Sequence, residues 1–136
     1  MASECVFCSI AVGNEPSRRV MENHRALAFL DINPVADGHT LVAPKEHFPD
    51  IWALNDEAAS EVWKLAVGVA HRLNEVLNPD GMTLFQANRS AGWQDVFHFH
   101  LHIVPRWDGD ALVRPWRSTP GDSERLDDVV GRLQRG

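Results

Sequence analysis

The sequence predicts an α+β fold in which one long helix packs on a five-stranded antiparallel sheet. Two observations support this: five short apolar segments are bounded by turn residues, and one longer segment carries apolar side chains at helical spacing. The chain has 136 residues, the size of one domain with a substantial core. The whole chain, 1–136, is therefore predicted to form a single domain.

The predicted strands begin with a hairpin. A polar turn at 23–25 joins the first two strands, Pro44 ends the third, and a polar, glycine-containing loop at 88–95 joins the last two. Hairpins with a helix between them favour an antiparallel sheet. The five predicted strands cover residues 19–22, 26–31, 39–43, 82–87 and 96–104.

The long helix is predicted over residues 56–77. Asn55 or Asp56 can cap it, because a side-chain oxygen there accepts a hydrogen bond from a free backbone N–H. Short helices over 5–12 and 123–133 are predicted near the two ends of the chain. The apolar face of the long helix consists of Val62, Leu65, Ala66, Val69, Leu73 and Val76.

Composition limits the classes of function. The net charge is −6 and the basic residues are scattered, which argues against a nucleic-acid partner. The sequence has no apolar run of about 18 residues, so no membrane span is expected. It shows no basic region followed by an apolar stretch at its start, so no secretory signal is expected. Its two cysteines, Cys5 and Cys8, cannot build a disulfide framework, which favours a reducing cytoplasm.

Three of the seven histidines, His98, His100 and His102, alternate with apolar residues. In a strand they share one face, about 7 Å apart, while the intervening side chains point into the core. They could be structural histidines, or a three-histidine metal site if the strand bends, because the outer two otherwise lie about 13 Å apart. The pattern favours a third interpretation, in which a neutral imidazole attacks phosphorus and its neighbours stabilise the developing charge.

The run His-Phe-His-Leu-His-Ile-Val-Pro-Arg at 98–106 resembles the defining motif of the histidine-triad (HIT) superfamily. The resemblance covers residues 4–106, leaves 107–136 as a tail, and implies the HIT-like fold. It points to the bacterial Hint-like branch, which has a Cys-x-x-Cys zinc site. The other matching segments are 5–10, 27–34, 38–45, Asn88 and 92–94.

This resemblance implies a hydrolase or nucleotidyl transferase that acts at the α-phosphate of a purine nucleotide conjugate through a covalent nucleotidyl-histidine. His100, the middle histidine, would be the nucleophile, and His102 would contact the transferring phosphate. His39 would lie near the triad. Asn88 and Gln94 would hydrogen-bond the phosphate and the leaving group.

The resemblance also implies a nucleotide pocket. Asp31 and Ile32 match positions that contact the ribose and the base. Phe7 and Ile10 match an apolar floor beneath the base. The alternatives are a turn or cap role for Asp31 and plain core packing for Phe7 and Ile10.

One position departs from the family pattern. In the phosphoramidase branch, a serine usually follows the loop glutamine and hands a proton to the leaving amine, whereas this chain has Asp95. A carboxylate could act as an acid or a base, but when ionised it would repel an α-phosphate. Asp95 is thus a candidate catalytic residue, and both phosphoramidates and dinucleoside polyphosphates remain open as substrates.

Cys5 and Cys8 alone fit a redox pair, half of a zinc site, or two small buried residues. The resemblance implies zinc, because some bacterial relatives and galactose-1-phosphate uridylyltransferases hold it on such a pair plus two histidines. His47 and His98 would complete this structural site. His47 would otherwise be an exposed loop histidine.

Relatives are mostly homodimers whose sheets join, so a homodimer is expected, and Trp107 and Trp116 of the tail could reach the partner subunit. A second hypothesis of a different class is a zinc-stabilised nucleotide-binding module with little catalysis. His24 and His71 match no motif and are predicted to lie in a turn and on the helix surface.

Overall fold

The computed structural model describes residues 4–135. Its five strands form one sheet in the order β1-β2-β3-β5-β4, and every neighbouring pair is antiparallel. The predicted α+β fold with five strands and one long helix is therefore confirmed. The elements are α1 (Val6–Ala11), β1 (Arg19–Glu22), β2 (Ala26–Leu30), β3 (Thr40–Pro44), α2 (Asp56–Leu77), β4 (Gly81–Gln86), β5 (Leu101–Arg106) and α3 (Ser123–Arg135).

The β1–β2 hairpin is closed by Asn23. Its Oδ1 accepts hydrogen bonds from the backbone N–H groups of Arg25 at 2.9 Å and Ala26 at 2.7 Å. Its Nδ2 donates to the carbonyl oxygen of Glu61 in α2 at 3.1 Å. One polar side chain thus shapes the turn and ties the hairpin to the long helix.

Helix α2 begins after Asn55, whose Oδ1 accepts a hydrogen bond from the N–H of Ala58 at 2.9 Å. Its apolar face packs on the sheet, and burying each large side chain contributes about 1.5–3 kcal/mol to stability. Val76, predicted in this face, is 59% exposed, because Leu77 takes the inward position four residues after Leu73. The buried residues of α2 are Ala58, Val62, Leu65, Ala66, Val69 and Leu73.

The chain enters β3 through Gly38, which lies tightly against the end of α2. Its φ is +85°, and a Cβ there would come within 2.6 Å of Leu77 Cδ1 and 3.1 Å of Pro105 Cγ. Any other residue would meet both a backbone penalty and a clash. Gly38 therefore helps to fix the position of the next residue, His39, which is buried.

Strand β5 starts later than the sequence predicts. The predicted strand was 96–104, but the structure begins it at Leu101, so this boundary was wrong. The register pairs Val42 with Leu101, which places Pro44 level with Phe99, and a proline has no N–H to offer a ladder. The N–H of Phe99 instead donates to the carbonyl oxygen of Phe48 at 2.6 Å.

The side chains of residues 98–103 still alternate between two sides, although β5 begins only at Leu101. Phe99, Leu101 and Ile103 pack in the core beneath α2, and the three histidines are buried outside that cluster. Helix α1 contributes a second buried cluster, Phe7, Ile10, Leu27, Phe29, Leu41 and Ala43.

After β5 the chain carries few buried side chains. Arg106 donates two hydrogen bonds of 2.8 Å to the carboxylate of Asp110, and α3 has no buried residue. Within residues 4–135, no helix combines the length and the apolar character needed to cross a bilayer.

Candidate active site

The fold brings Cys5, which caps α1, and Cys8 of α1 together with His47 and His98. Cys5 Sγ lies 3.3 Å from His98 Nδ1, Cys8 Sγ lies 3.4 Å from His47 Nδ1, and the two Nδ1 atoms are 3.2 Å apart. A tetrahedral zinc ion with bonds of about 2.0–2.3 Å separates its ligand atoms by about 3.3–3.8 Å. The spacing therefore fits zinc, and these are the four residues that the resemblance implied.

The ring of His98 is oriented for this role. Its Nε2 donates to the carbonyl oxygen of Pro44 at 2.8 Å, so Nδ1 of the neutral ring is the unprotonated nitrogen that faces the thiols. Burial lowers the pKa of His98 to about 4, which keeps the ring neutral. A backbone carbonyl behind a ligating imidazole is the usual support for a metal-bound histidine.

Burial also raises the pKa of the Cys8 thiol to about 11. The hydrogen bond and the charge of the neighbouring Cys5 are smaller causes of the same increase in the Cys8 pKa. A bound cation would reverse this effect, because a coordinating thiol loses its proton. The donor set therefore suits a divalent metal better than a free, reactive thiol pair.

His100 lies just before β5 and is only 3% exposed. Its Nδ1 donates to the carbonyl oxygen of His98 at 2.8 Å, so Nε2 of the neutral ring keeps its lone pair. The edge of the Phe7 ring contacts His100 with centroids 5.0 Å apart. Asp95 Oδ1 lies 3.3 Å from Nε2. His100 is thus held in one orientation, with Nε2 facing Asp95.

His102 is joined to His39 in a hydrogen-bonded chain. The N–H of Val35 donates to His39 Nδ1 at 3.2 Å, so the proton of neutral His39 is on Nε2, which lies 3.0 Å from His102 Nδ1. Burial lowers the pKa of His39, and it lowers that of His102 to about 4. His102 therefore accepts at Nδ1 and carries its proton on Nε2.

Two aromatic contacts place His102 beside His100. The ring of Phe85 in β4 stacks on His102 with centroids 4.1 Å apart and an interplanar angle of 9°. The His100 and His102 rings are 4.8 Å apart, closer than the spacing of an extended strand predicts. Phe85 is a site residue that the sequence reasoning missed, because a strand phenylalanine carries no signal that distinguishes it from core.

The predicted ribose and base contacts lie on the loop after β2. Asp31 Oδ1 accepts from the N–H of Asn33 at 2.9 Å, and Oδ2 lies 3.5 Å from His39 Nε2. Ile32 is 78% exposed. The local turn role of Asp31 is present, and Oδ2 adds a link between this loop and the histidines. The nucleotide contacts of Asp31 and Ile32 stay predictions.

Phe7 and Ile10 are both buried in the cluster that α1 forms with the sheet. Phe7 also contacts the ring of His98, with centroids 5.7 Å apart. Core packing, the alternative interpretation, is thus present for both residues. Their predicted place beneath a base stays a prediction.

Gln94 is hydrogen-bonded within the protein, and its predicted phosphate contact stays a prediction. Its Oε1 accepts from the N–H of Arg89 at 2.7 Å, and its Nε2 donates to the carbonyl oxygens of Pro49 at 2.6 Å and Val96 at 3.1 Å. The side chain is 6% exposed, so both amide hydrogens are used inside the protein. Gln94 therefore holds the loop in place and has no N–H left for a ligand.

Asn88 is only partly committed to the protein. Its Oδ1 accepts from the N–H of Ile51 at 2.8 Å, and its Nδ2 donates to Gln86 Oε1 at 2.6 Å. An amide nitrogen carries two hydrogens, and one of them remains available. The geometry of Asn88 is thus compatible with the predicted phosphate contact.

The loop between β4 and β5 holds further residues that the sequence reasoning did not assign. Arg89 and Trp93 have positive φ, +62° and +73°, on either side of the short 3-10 helix Ser90–Gly92. Such a conformation is strained for a bulky residue and is typical of functional loops. The Arg89 guanidinium lies 4.1 Å from the ring centroid of Trp52.

Trp93 stacks on Trp116 of the same chain, with ring centroids 5.7 Å apart. Trp116 therefore has a contact within its own chain, and its predicted contact with a partner subunit stays a prediction. His24 and His71 are exposed in the turn and on the helix surface, as predicted. The structure thus brings the predicted histidines, cysteines and Asp95 into two adjoining sites on one side of the sheet.

Comparison with known proteins agrees with this geometry. The HIT domain family matches residues 12–109. A HIT family protein from Bacillus anthracis superposes with a TM-score of 0.90 at 37% identity, covering 99% of this chain and 98% of that chain. A Zn-bound histidine triad family protein from Mycobacterium smegmatis has a TM-score of 0.78 at 34% identity, covering 99% of each chain.

Among curated proteins, an adenosine 5′-monophosphoramidase from Schizosaccharomyces pombe is 33% identical over 123 residues, which is 90% of each chain. The sheet topology, the buried triad and these similarities lead to one conclusion. This chain belongs to the HIT domain family.

Proposed function

We propose that this protein hydrolyses or transfers the nucleotidyl group of a purine nucleotide conjugate at its α-phosphate, with His100 as the nucleophile. One observation carries the proposal: His100 donates through Nδ1 to a backbone carbonyl, so that Nε2, beside Asp95, is the ring nitrogen that would attack phosphorus. The phosphoramidase of S. pombe supports a nucleotide as the substrate class.

The reaction would proceed by two displacements. The Nε2 lone pair of His100 attacks the α-phosphorus, the bond from phosphorus to the leaving group breaks, and the leaving group takes that electron pair. An amine also takes one proton from solvent, whereas a polyphosphate leaves as the anion. Water then attacks the same phosphorus and loses a proton, and the phosphorus–nitrogen bond breaks to restore His100. In a transferase another acceptor replaces water. Dividing the reaction in this way lowers each barrier.

His102 would stabilise the charge that develops on phosphorus. The hydrogen bond from His39 to Nδ1 keeps the proton of His102 on Nε2. The ring centroids of His102 and His100 are 4.8 Å apart. A preorganised donor at a developing oxyanion is usually among the largest contributions to catalysis. The remaining N–H of Asn88 would donate to the same phosphate.

The nucleoside would lie against the loop after β2. The Asp31 carboxylate is a suitable acceptor for two ribose hydroxyls, and the exposed Ile32 offers an apolar surface for the base. Phe7 and Ile10 would support the site from beneath. Because Gln94 is fully engaged within the protein, it would act by positioning the loop.

Cys5, Cys8, His47 and His98 would hold a structural zinc ion. The ion would cross-link α1 to the segment before β5 and so fix the His98 carbonyl that orients His100. The distances between ligand atoms and the Zn-bound M. smegmatis relative support this assignment. We place the protein in the cytoplasm, where Cys5 and Cys8 stay reduced.

The protein would act as a homodimer whose sheets join at β4. Strand β4 is an edge of the sheet, and an uncovered edge is a template for pairing with another strand. Leu84 on β4 and Trp63 and Val67 on α2 are exposed apolar side chains that a partner would cover. Residues 1–136 would form one domain, with the tail beginning at 107. Light scattering after gel filtration gives the number of subunits. A monomer at micromolar concentration would contradict the proposed homodimer.

Trapping tests the reaction. An adenosine phosphoramidate labelled at the α-phosphate is mixed with protein, and the reaction is quenched in base. Label is expected on the wild type and on the control His24→Ala, and none on His100→Ala. Label on His100→Ala would overturn the nucleophile. An unlabelled wild type that still binds AMP would favour the alternative, a zinc-stabilised nucleotide-binding module with little catalysis.

A further inference from the structure

We propose that Asp95 selects the leaving group by charge, favouring amines that carry a positive charge and disfavouring leaving groups with additional negative charge, such as polyphosphates. The inference rests on the proposed function, because it requires a reaction at the α-phosphate. It concerns the leaving group alone and adds a specificity-determining role to Asp95.

The carboxylate of Asp95 lies at the reacting end of the site. Its Oδ1 is 3.3 Å from His100 Nε2 and also accepts a hydrogen bond from the N–H of Val96 at 2.9 Å. Its side chain is 71% exposed, so a group on the substrate can reach it. Within residues 4–135, no protein hydrogen bond is made to its other oxygen, Oδ2. One oxygen is thus fixed beside the nucleophile, and the other faces outward.

Among residues 4–135, Asp95 has no lysine or arginine partner that balances its charge. Arg89 of the same loop lies 3.8 Å from Asp50 and stacks on Trp52. Asp31 adds a second carboxylate on the far side of the histidines. The charge of Asp95 therefore acts on whatever group the substrate brings.

This charge acts in opposite directions on two kinds of leaving group. A phosphoramidate nitrogen gains one proton as its bond to phosphorus breaks and leaves as a neutral amine, so a nearby carboxylate stabilises the positive charge of the nitrogen while it is protonated and still bound, and any further ammonium group that the leaving amine carries. A polyphosphate takes the electron pair as an anion, and its charge grows beside another anion. At a partly exposed site, one such charge changes a rate by about five- to tenfold.

A local structural role for Asp95 is the competing explanation, since Oδ1 also accepts from Val96. Asparagine keeps an oxygen acceptor of the same shape and removes only the charge. Asp95→Asn therefore separates charge from hydrogen bonding. Asp95→Ser is a second neutral variant, and circular dichroism checks that both fold.

The experiment uses three adenosine 5′-phosphoramidates with leaving amines of equal length. These are 1,4-diaminobutane, which carries a distal ammonium, butylamine, which is neutral, and 4-aminobutyrate, which carries a distal carboxylate. AMP release gives kcat/KM for each. For the wild type we expect a cationic-to-anionic ratio of about ten or more. The ratio should fall to about one in both Asp95 variants, and it should be unchanged in the control Asp127→Asn on α3.

The neutral butylamine conjugate reports on the proposed function by itself. If the wild type releases AMP from it and the ratio stays the same in Asp95→Asn, charge selection is overturned while the proposed function stands. Loss of all three activities in both folded Asp95 variants would also overturn charge selection, in favour of an obligatory catalytic role. No AMP release by the wild type from any conjugate would overturn the proposed function and this inference together.

Discussion

His39 Nε2 lies 3.0 Å from His102 Nδ1, and this contact determines which nitrogen of His102 carries the proton. Val35 fixes the tautomer of His39 in turn, so backbone geometry controls a donor two side chains away. Contacts of this kind behind a functional imidazole typically change activity by about ten- to a hundredfold when removed.

His39→Leu should therefore lower the single-turnover rate of AMP release by about ten- to a hundredfold, because His102 loses the donor that sets its tautomer. His39→Gln can still donate to Nδ1 and should retain more of the rate. The control His71→Leu, on the exposed face of α2, should not change it. Equal rates for wild type and His39→Leu would contradict the proposed relay.

The stability of the protein should fall on acidification. Burial lowers the pKa of His102 to about 4, below the ordinary value of 6.5. Between these two pH values the unfolded state binds a proton at this residue and the folded state does not, so the free energy of unfolding decreases as pH falls through this window.

The variant His102→Phe removes that proton uptake. Between pH 7 and pH 4 the free energy of unfolding should decrease in both proteins, and the decrease should be roughly 1–3 kcal/mol smaller in the variant than in the wild type. Urea unfolding at pH 7, 5.5 and 4 measures the difference. The exposed-turn control His24→Phe should keep the wild-type slope, and a His102→Phe slope equal to that of the wild type would refute the assignment.

Zinc removal should destabilise the protein by several kcal/mol, because the proposed ion would join the start of α1 to the segment before β5. The purified wild type should contain about one zinc per chain, from the four-ligand geometry. Cys5→Ala and Cys8→Ala should contain far less, while Ser9→Ala on the same helix keeps the wild-type content. Elemental analysis and thermal unfolding with and without a chelator test this, and unchanged metal in both cysteine variants would exclude the ligand set.

Gln94→Ala should lower the free energy of unfolding by about 1–3 kcal/mol, because it leaves the Pro49 carbonyl and the Arg89 N–H without their partner. The exposed-helix control Gln134→Ala should have almost no effect. A direct phosphate contact would give another result, weaker nucleotide binding with stability unchanged. Urea unfolding together with AMP titration separates the two roles.

Features with local causes could be predicted from the sequence. The hairpin at Asn23 and the start of α2 at Asn55 follow from side chains that bond backbone groups within three residues. The histidines alternate with core residues because strand geometry imposes that order even through a bend. The candidate metal-binding group of four residues could be predicted only through the family resemblance, because nothing in the spacing of Cys5 and Cys8 points to His47, which is 39 residues from Cys8.

The remaining features depend on segments that are distant in sequence and meet only in the folded chain. Strand β5 starts at Leu101 because Pro44, on a strand more than fifty residues earlier, has no N–H to pair with Phe99. Gln94 turns inward because the Pro49 carbonyl lies within reach. Local sequence thus specified the elements, and the family resemblance supplied the candidate reactive side chains. Tertiary packing decided their tautomers, their partners and the position of Asp95 beside His100, since these properties belong to pairs of atoms that only the fold brings together.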